Sequence, residues 1–158
     1  MARQNSIRHP LRRFAKVGGD RRRLVVEAVL YLLAARLALV VIPFPRLAKR
    51  LGAFVPPSDP RAKTKGDEAP AEHAALAREI GWAVTRAARH VPFRAVCLPQ
   101  AMAAQFMLRG RGVATVLHFG AGRGADKPLE AHAWLDAAGV EVTGYPVPLH
   151  LAEIACFV

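Results

Sequence analysis

The chain carries few of the features by which metal proteins and cofactor enzymes are recognised from sequence. Only two of its 158 residues are cysteines, Cys97 and Cys156, and they do not form a CxxC pair. Two cysteines are too few for the disulfide framework of a secreted domain, which favours a reducing, cytoplasmic location. HExxH, Walker and dinucleotide-binding motifs are missing as well, so neither a metal nor a cofactor is expected.

Acidic residues are also scarce, with 12 Asp and Glu against 23 Lys and Arg, for a formal net charge of +11. Eight of the first 23 residues are basic, and Asp20 is the one acid among them. Such an arm is typically solvated and can also bind an acidic surface, for example anionic lipid. It has no interleaved aromatic residues and no nucleic-acid motif, so nucleic acid is not an expected partner.

The longest apolar run covers residues 24–42. As a helix it would extend about 28 Å, close to the thickness of a bilayer core. Glu27 and Arg36 offset the favourable insertion of its twelve Leu, Val and Ile residues, so the expected insertion free energy is near zero. The run therefore predicts a helix packed on the domain or on a partner, while the adjacent basic arm leaves membrane-surface association open.

Changes in composition divide the chain into four parts. The basic arm (residues 1–23) and the hydrophobic helical segment (24–54) are followed by a linker rich in proline and charge (55–70) and by a domain (71–158). In the domain, apolar periodicity predicts a helix after Ala71 that Pro92 ends.

A second helix is predicted to begin near Cys97, because Leu98, Met102 and Phe106 recur four residues apart and Pro99 suits a first turn. A β-branched run (113–119) and two runs flanking a turn (130–136 and 140–144) predict strands. Helices followed by antiparallel strands indicate an α+β fold.

Cys97 and His132 are the candidate catalytic residues. A helix N-terminus lowers the pKa of a thiol, and an imidazole can take the thiol proton and return it to a leaving amine. Taken alone, Cys97 would be interpreted as an inert core residue, and His132 as a partly buried strand histidine with one hydrogen-bonded nitrogen. Their joint occurrence favours a catalytic role. We predict structural roles for the remaining candidates, His90, His118, His150 and Cys156.

The segment CLPQAMAAQFMLRGRGVATVLHFGAGR, followed by AHAWLDAAGVEVTG, resembles the B-type leader peptidases of lasso peptide biosynthesis. The resemblance runs from Cys97 to Gly144 and implies a transglutaminase-like, papain-like core with the cysteine at a helix start, packed on an antiparallel sheet. It also implies that Cys97 is the nucleophile and His132 the general base and then acid. The implied substrate is the leader region of a ribosomally made lasso precursor, and an ATP-dependent lasso cyclase is the implied partner.

Some proteins of this kind carry a fused leader-recognition domain, for which the residues before Leu24 are too few. The resemblance therefore implies the split form, with a separate leader-recognition protein as partner.

The chain departs from the family at the residue that orients the histidine. The family usually places an aspartate on the following strand, but a three-residue turn at 137–139 would put Gly144 opposite His132. A two-residue turn would bring Thr143 or Tyr145 there instead. The sequence thus leaves four alternatives for the group that orients His132: a hydroxyl, a backbone carbonyl, a water or a residue from elsewhere.

Two other functions compete with leader removal. An acyl transferase would use the same Cys97–His132 pair and differ only in the acceptor. A non-catalytic, membrane-associated scaffold of the biosynthetic complex would account for the missing carboxylate.

Overall fold

The computed structural model describes residues 9–63, 69–124 and 128–158, with side chains from residue 19 onward. Its elements, in chain order, are α1 (His9–Val41), α2 (Phe44–Leu51), β1 (Phe54–Val55), a 3-10 turn (Pro60–Ala62), α3 (Ala71–Ala88), α4 (Cys97–Arg109), β2 (Thr115–Gly122), β3 (Glu130–Ala137), β4 (Val140–Thr143) and β5 (Ala152–Phe157).

The five strands form one antiparallel sheet in the order β1-β5-β2-β3-β4. One face of this sheet packs against α4 and α3, and that layer contains the main hydrophobic core. Leu117, Leu135 and Phe157 lie side by side across three strands and belong to this core with Met102 and Met107 of α4. The α+β fold, with helices preceding an antiparallel sheet, is confirmed.

Helix α1 is longer than predicted and is part of the same core. It begins at His9 rather than near Leu24, so the predicted arm (1–23) overlaps a helix. Its buried residues contact α3 and α4, and Glu27 forms an ion pair with Arg111 at 2.7 Å. Residues of α1 therefore share one hydrophobic core with α3 and α4, and the division of the chain into four parts stays a prediction.

Two strands were not predicted. Val55, the predicted start of the linker, lies in β1, and the apolar C-terminal residues form β5 between β1 and β2. The β3–β4 turn has two residues, Ala138 and Gly139, with φ of 49° and 71°. Positive φ at both central positions is the type I′ geometry that fits the twist of a hairpin. The three-residue turn was therefore wrong, because Ala137 pairs directly with Val140.

Leu32 and its neighbour Leu33 test whether α1 stabilises the domain. Leu32 is fully buried and Leu33 is 43% exposed. We expect Leu32→Ala to lower the free energy of unfolding by about 2–5 kcal/mol, because it leaves a cavity between α1 and the core. Leu33→Ala should cost about 0.5 kcal/mol or less. Urea denaturation measures the free energy of unfolding of both variants. A loss in Leu32→Ala as small as that in Leu33→Ala would show that α1 does not contribute to the core.

Candidate functional site

Cys97 is the first residue of α4 and its side chain is half-buried. The preceding residue, Val96, is extended and provides no side-chain cap. The N–H groups of the first turn have no partner within the helix, and Pro99 has no N–H to offer. The thiol therefore lies at the positive end of the helix dipole, beside free backbone donors that can hold an oxyanion. Gln100 donates to the carbonyl of Ala95 at 2.7 Å and anchors the turn that leads into the helix.

His132 lies near the start of β3, and its Nε2 is 2.5 Å from the carbonyl oxygen of Gly144. A carbonyl can only accept a hydrogen bond, so Nε2 carries the proton and Nδ1 is the basic nitrogen. Nδ1 makes no hydrogen bond within the described part of the chain. Trp134 stacks beside the imidazole, with ring centroids 6.1 Å apart, as expected for strand residues that share a face.

The orienting group of His132 is thus a backbone carbonyl, one of the alternatives that the sequence left open. Asp136 shares the face of His132 but accepts a hydrogen bond from the Tyr145 hydroxyl at 2.6 Å instead. Gly144 has φ of +85°, which glycine adopts without strain. A methyl group on Gly144 would lie 2.5 Å from the Ala133 carbonyl oxygen, so the chain can pass this close to β3 only with glycine.

Cys97 and His132 are not joined by a hydrogen bond among the residues described. Cys97 packs against the core on the helical side of the sheet, and Ala133 and Leu135 fill that side of β3. Strand alternation directs His132 and Trp134 to the other side. The β3–β4 ladder extends only from Leu135 to Ala137, so β4 does not pair with β3 beside His132. A catalytic contact would have to form around that end of β3, and the pairing of the two residues stays a prediction.

A second cluster of reactive side chains lies on the sheet face opposite α4. His118 of β2 pairs with Cys156 of β5, and its Nδ1 is 2.5 Å from Glu153 Oε1 and 3.5 Å from Cys156 Sγ. His118 Nε2 lies 3.2 Å from Asp136 Oδ2. Trp134 stacks on His118 with a centroid distance of 5.4 Å and so separates this cluster from His132.

A β-bulge assembles the second cluster. Residues 153 and 156 are three apart and would point to opposite faces of a regular strand. The register shifts where Phe119 pairs with Ala155 and Gly120 pairs with Glu153, which leaves Ile154 as the extra residue. Glu153 and Cys156 consequently both face His118. The sequence predicts separate structural roles for His118 and Cys156, because neither β5 nor its bulge is evident from local residue patterns.

Cys156 is a poor candidate for a nucleophile. It is fully buried, and its thiol donates to Glu153 Oε1 at 2.9 Å. Burial, together with the hydrogen bond to Glu153, raises the pKa of Cys156 to about 12, so the thiol is protonated at neutral pH. Of the two cysteines, Cys97 is the one that is not fully buried.

His118 should make the stability of the protein depend on pH. Burial alone would lower the pKa of His118, but contacts with Asp136 and Glu153 outweigh it and raise the pKa above 6.5. The stabilisation is therefore complete below about pH 6.5 and is lost as the pH rises through the folded-state pKa. We expect the free energy of unfolding, measured by urea denaturation with a chelator present, to fall over that window, and His118→Gln to flatten the decline. An equal decline in the variant would assign it to other groups.

His90 and His150, which were also predicted to have structural roles, each contact one other residue. His90 Nδ1 lies 2.8 Å from the carbonyl of Arg86 at the end of α3, and His150 Nε2 lies 2.9 Å from Glu130 Oε2. Neither contact involves Cys97 or His132.

The outer face of α1 is apolar and exposed. Residues 19–41 are long and apolar enough to cross a membrane by length and composition, and little of that stretch is buried in the domain. The exposed positions recur three and four residues apart along one side of the helix: Val26, Leu30, Leu33, Leu37 and Val41. One such helix near an N-terminus is weak support for membrane association.

Comparison with known proteins identifies the family to which this arrangement belongs. A family model described as the transglutaminase-like superfamily matches residues 38–155, well over half of the chain and including both Cys97 and His132. No curated protein and no solved structure gives a significant match.

Proposed function

Because the chain belongs to the transglutaminase-like superfamily, whose members are typically cysteine-dependent enzymes, we propose that it is a cysteine peptidase that uses Cys97 and His132. The observation that carries the proposal is the hydrogen bond from His132 Nε2 to the Gly144 carbonyl. It fixes the tautomer in which Nδ1 can accept a proton, which is the state that a general base requires.

The proposed reaction proceeds through an acyl-enzyme. Once the Cys97 and His132 side chains meet around the end of β3, His132 Nδ1 takes the proton of the Cys97 thiol, and the sulfur attacks the carbonyl carbon of the scissile peptide bond. The N–H groups at the start of α4 stabilise the resulting oxyanion. The C–N bond then breaks, the leaving amine takes the proton from Nδ1, and a water activated by the same nitrogen hydrolyses the thioester and regenerates the thiol.

The proposed substrate is the leader region of a lasso precursor peptide. This narrower assignment is supported by the segments that begin at Cys97 and at Ala131, which resemble the B-type leader peptidases. A separate leader-recognition protein would deliver the precursor, and the ATP-dependent lasso cyclase would use the released α-amine.

The assignment is tested by incubating the purified chain with a candidate precursor, with and without the recognition protein, followed by mass spectrometry. Hydrolysed leader with a free carboxylate supports the peptidase. A leader joined to an added amine would instead identify an acyl transferase that uses the same cysteine. Intact precursor in the presence of the recognition protein would contradict both.

The second candidate function is a non-catalytic scaffold. It is favoured by the placement of Cys97 and His132 on different sides of β3. A thiol-reactive probe at neutral pH separates the two functions. A catalytic Cys97 should label faster than free cysteine, because His132 would take the proton of its thiol, and His132→Ala should slow the labelling. A scaffold should label slowly and be insensitive to that substitution.

We further propose that the exposed face of α1 rests on an anionic membrane surface. Arg22 and Arg23 are exposed at the end of the apolar stripe, and such pairing of cations with apolar residues is typical of interfacial helices. Co-sedimentation with anionic vesicles tests this proposal. Leu30→Glu and Leu37→Glu, both at exposed positions, should release the protein without unfolding it. Binding that survives both substitutions would contradict the proposal.

A further inference from the structure

The cluster on the sheet face opposite α4 holds three potential metal ligands of different chemistry. The donor atoms of His118, Glu153 and Cys156 all lie within 4.8 Å of one another. Imidazole nitrogen, carboxylate oxygen and thiolate sulfur are the three side-chain donors that zinc uses in proteins. The residues come from two neighbouring strands, and the bulge at Ile154 is what turns Glu153 toward the other two.

A carboxylate behind the His118 ring would support its role as a ligand. His118 is 7% exposed, and its Nδ1 faces Glu153 and Cys156 while its Nε2 faces Asp136 on the other side of the ring. Asp136 Oδ2 lies 3.2 Å from that nitrogen. A metal on Nδ1 would fix the proton on Nε2, directed at Asp136, which is the carboxylate–histidine–metal arrangement common in zinc proteins. The Tyr145 hydroxyl already holds the other oxygen of Asp136 at 2.6 Å.

We propose that His118 Nδ1, Glu153 Oε1 and Cys156 Sγ bind a divalent transition-metal ion of the zinc class between β2 and β5. The thiolate and the carboxylate neutralise the charge of the ion, and three protein ligands leave one tetrahedral position for water. Binding releases the Sγ proton to solvent, and the Nδ1 proton too where the ring is protonated. The site does not rest on the proposed peptidase activity.

The geometry needs only a small adjustment to accept the ion. Metal bonds of about 2.0–2.3 Å would place tetrahedral donors roughly 3.3–3.7 Å apart. The distance from His118 Nδ1 to Cys156 Sγ is already 3.5 Å, whereas the Glu153 oxygen is closer to both. The Glu153 side chain is 33% exposed, so it has room to move outward by the required distance.

The metal-free alternative is an imidazolium held between two carboxylates. His118 would then be protonated between Asp136 and Glu153, and the thiol of Cys156 would be a neutral donor. The sequence expectation of no metal rested on missing CxxC and HExxH spacings. Those spacings do not apply here, because the ligands meet through strand pairing.

Titration of the untagged full chain with Co²⁺, followed by displacement with Zn²⁺, distinguishes these alternatives. We expect one equivalent of Co²⁺ to produce a thiolate-to-cobalt charge-transfer band that Zn²⁺ removes. Cys97→Ala should retain the band, since Cys156 is then the one remaining thiol. Cys156→Ser should abolish it, His118→Gln should weaken binding by about a hundredfold or more, and Asp136→Asn by about tenfold.

Circular dichroism of each variant establishes that it is folded. Glu153→Gln is a nearly isosteric substitution that removes the proposed carboxylate ligand. Binding should also tighten as the pH rises, because protons are released. No thiolate band, or a band lost in Cys97→Ala, would overturn the proposal. Equal affinity of folded His118→Gln and the unsubstituted protein would overturn it as well.

Discussion

Cys97→Ala should lower kcat for precursor cleavage by about 10⁴-fold or more, because the substitution removes the nucleophile that forms the acyl-enzyme. The fold should be retained, since Cys97 is half-buried at the start of α4 and makes no hydrogen bond with its side chain among the residues described. His132→Ala should produce a loss of similar size, because thiol activation and amine protonation both use Nδ1. The two losses should not add, as expected of residues that act in one step.

Cys156→Ser is the matched control for the loss of a thiol. Its hydroxyl can keep the donor contact with Glu153, and Cys156 lies outside the proposed catalytic pair. We expect cleavage within about threefold of the unsubstituted protein, as for a substitution that makes no difference to transition-state binding. Cleavage by Cys97→Ala at the unsubstituted rate would exclude the peptidase mechanism. Loss of cleavage in Cys156→Ser alone would assign the reaction to the second cluster.

Gly144→Ala should lower the free energy of unfolding by about 2–4 kcal/mol. The added methyl group would lie 2.5 Å from the Ala133 carbonyl oxygen and 2.8 Å from Trp134 Cα, at a φ of +85°. Relief of the clash must move the Gly144 carbonyl that holds His132, so kcat should fall as well. Thermal denaturation should show a decrease in Tm of about 5–15 °C for a chain of this size.

Gly112→Ala separates the backbone cost from the steric cost. Gly112 has φ of +75° and no heavy atom within 4 Å of the position a methyl group would occupy. Gly112→Ala should lower the free energy of unfolding by about 1 kcal/mol, because the left-handed backbone conformation alone disfavours alanine. Equal losses at positions 112 and 144 would show that β3 does not crowd Gly144. Gly144→Asp should be destabilised in the same way.

The local sequence was a good guide where one segment determines its own structure. Cys97 begins α4 as expected, because Pro99 suits a first turn and the apolar residues that follow recur at helical spacing. The strands on either side of Ala138 and Gly139 were also predicted, since alternating residues flank a turn. The length of that turn was wrong, which shows that composition locates a hairpin more readily than it fixes the register.

The second cluster could not be predicted from the sequence. His118 and Cys156 are 38 residues apart, and no spacing rule joins them. Their contact depends on β5 entering the sheet between β1 and β2, which is a long-range pairing. The bulge that adds Glu153 depends on that pairing in turn.

By itself the sequence determined the elements around Cys97 and His132 and their resemblance to one family, because helix starts, turns and motifs are properties of neighbouring residues. Only the tertiary structure decided that α1 shares the core, that the Gly144 carbonyl holds His132, and that His118, Glu153 and Cys156 meet. Each of these depends on contacts between distant segments, whose free energy arises only when the whole chain is packed.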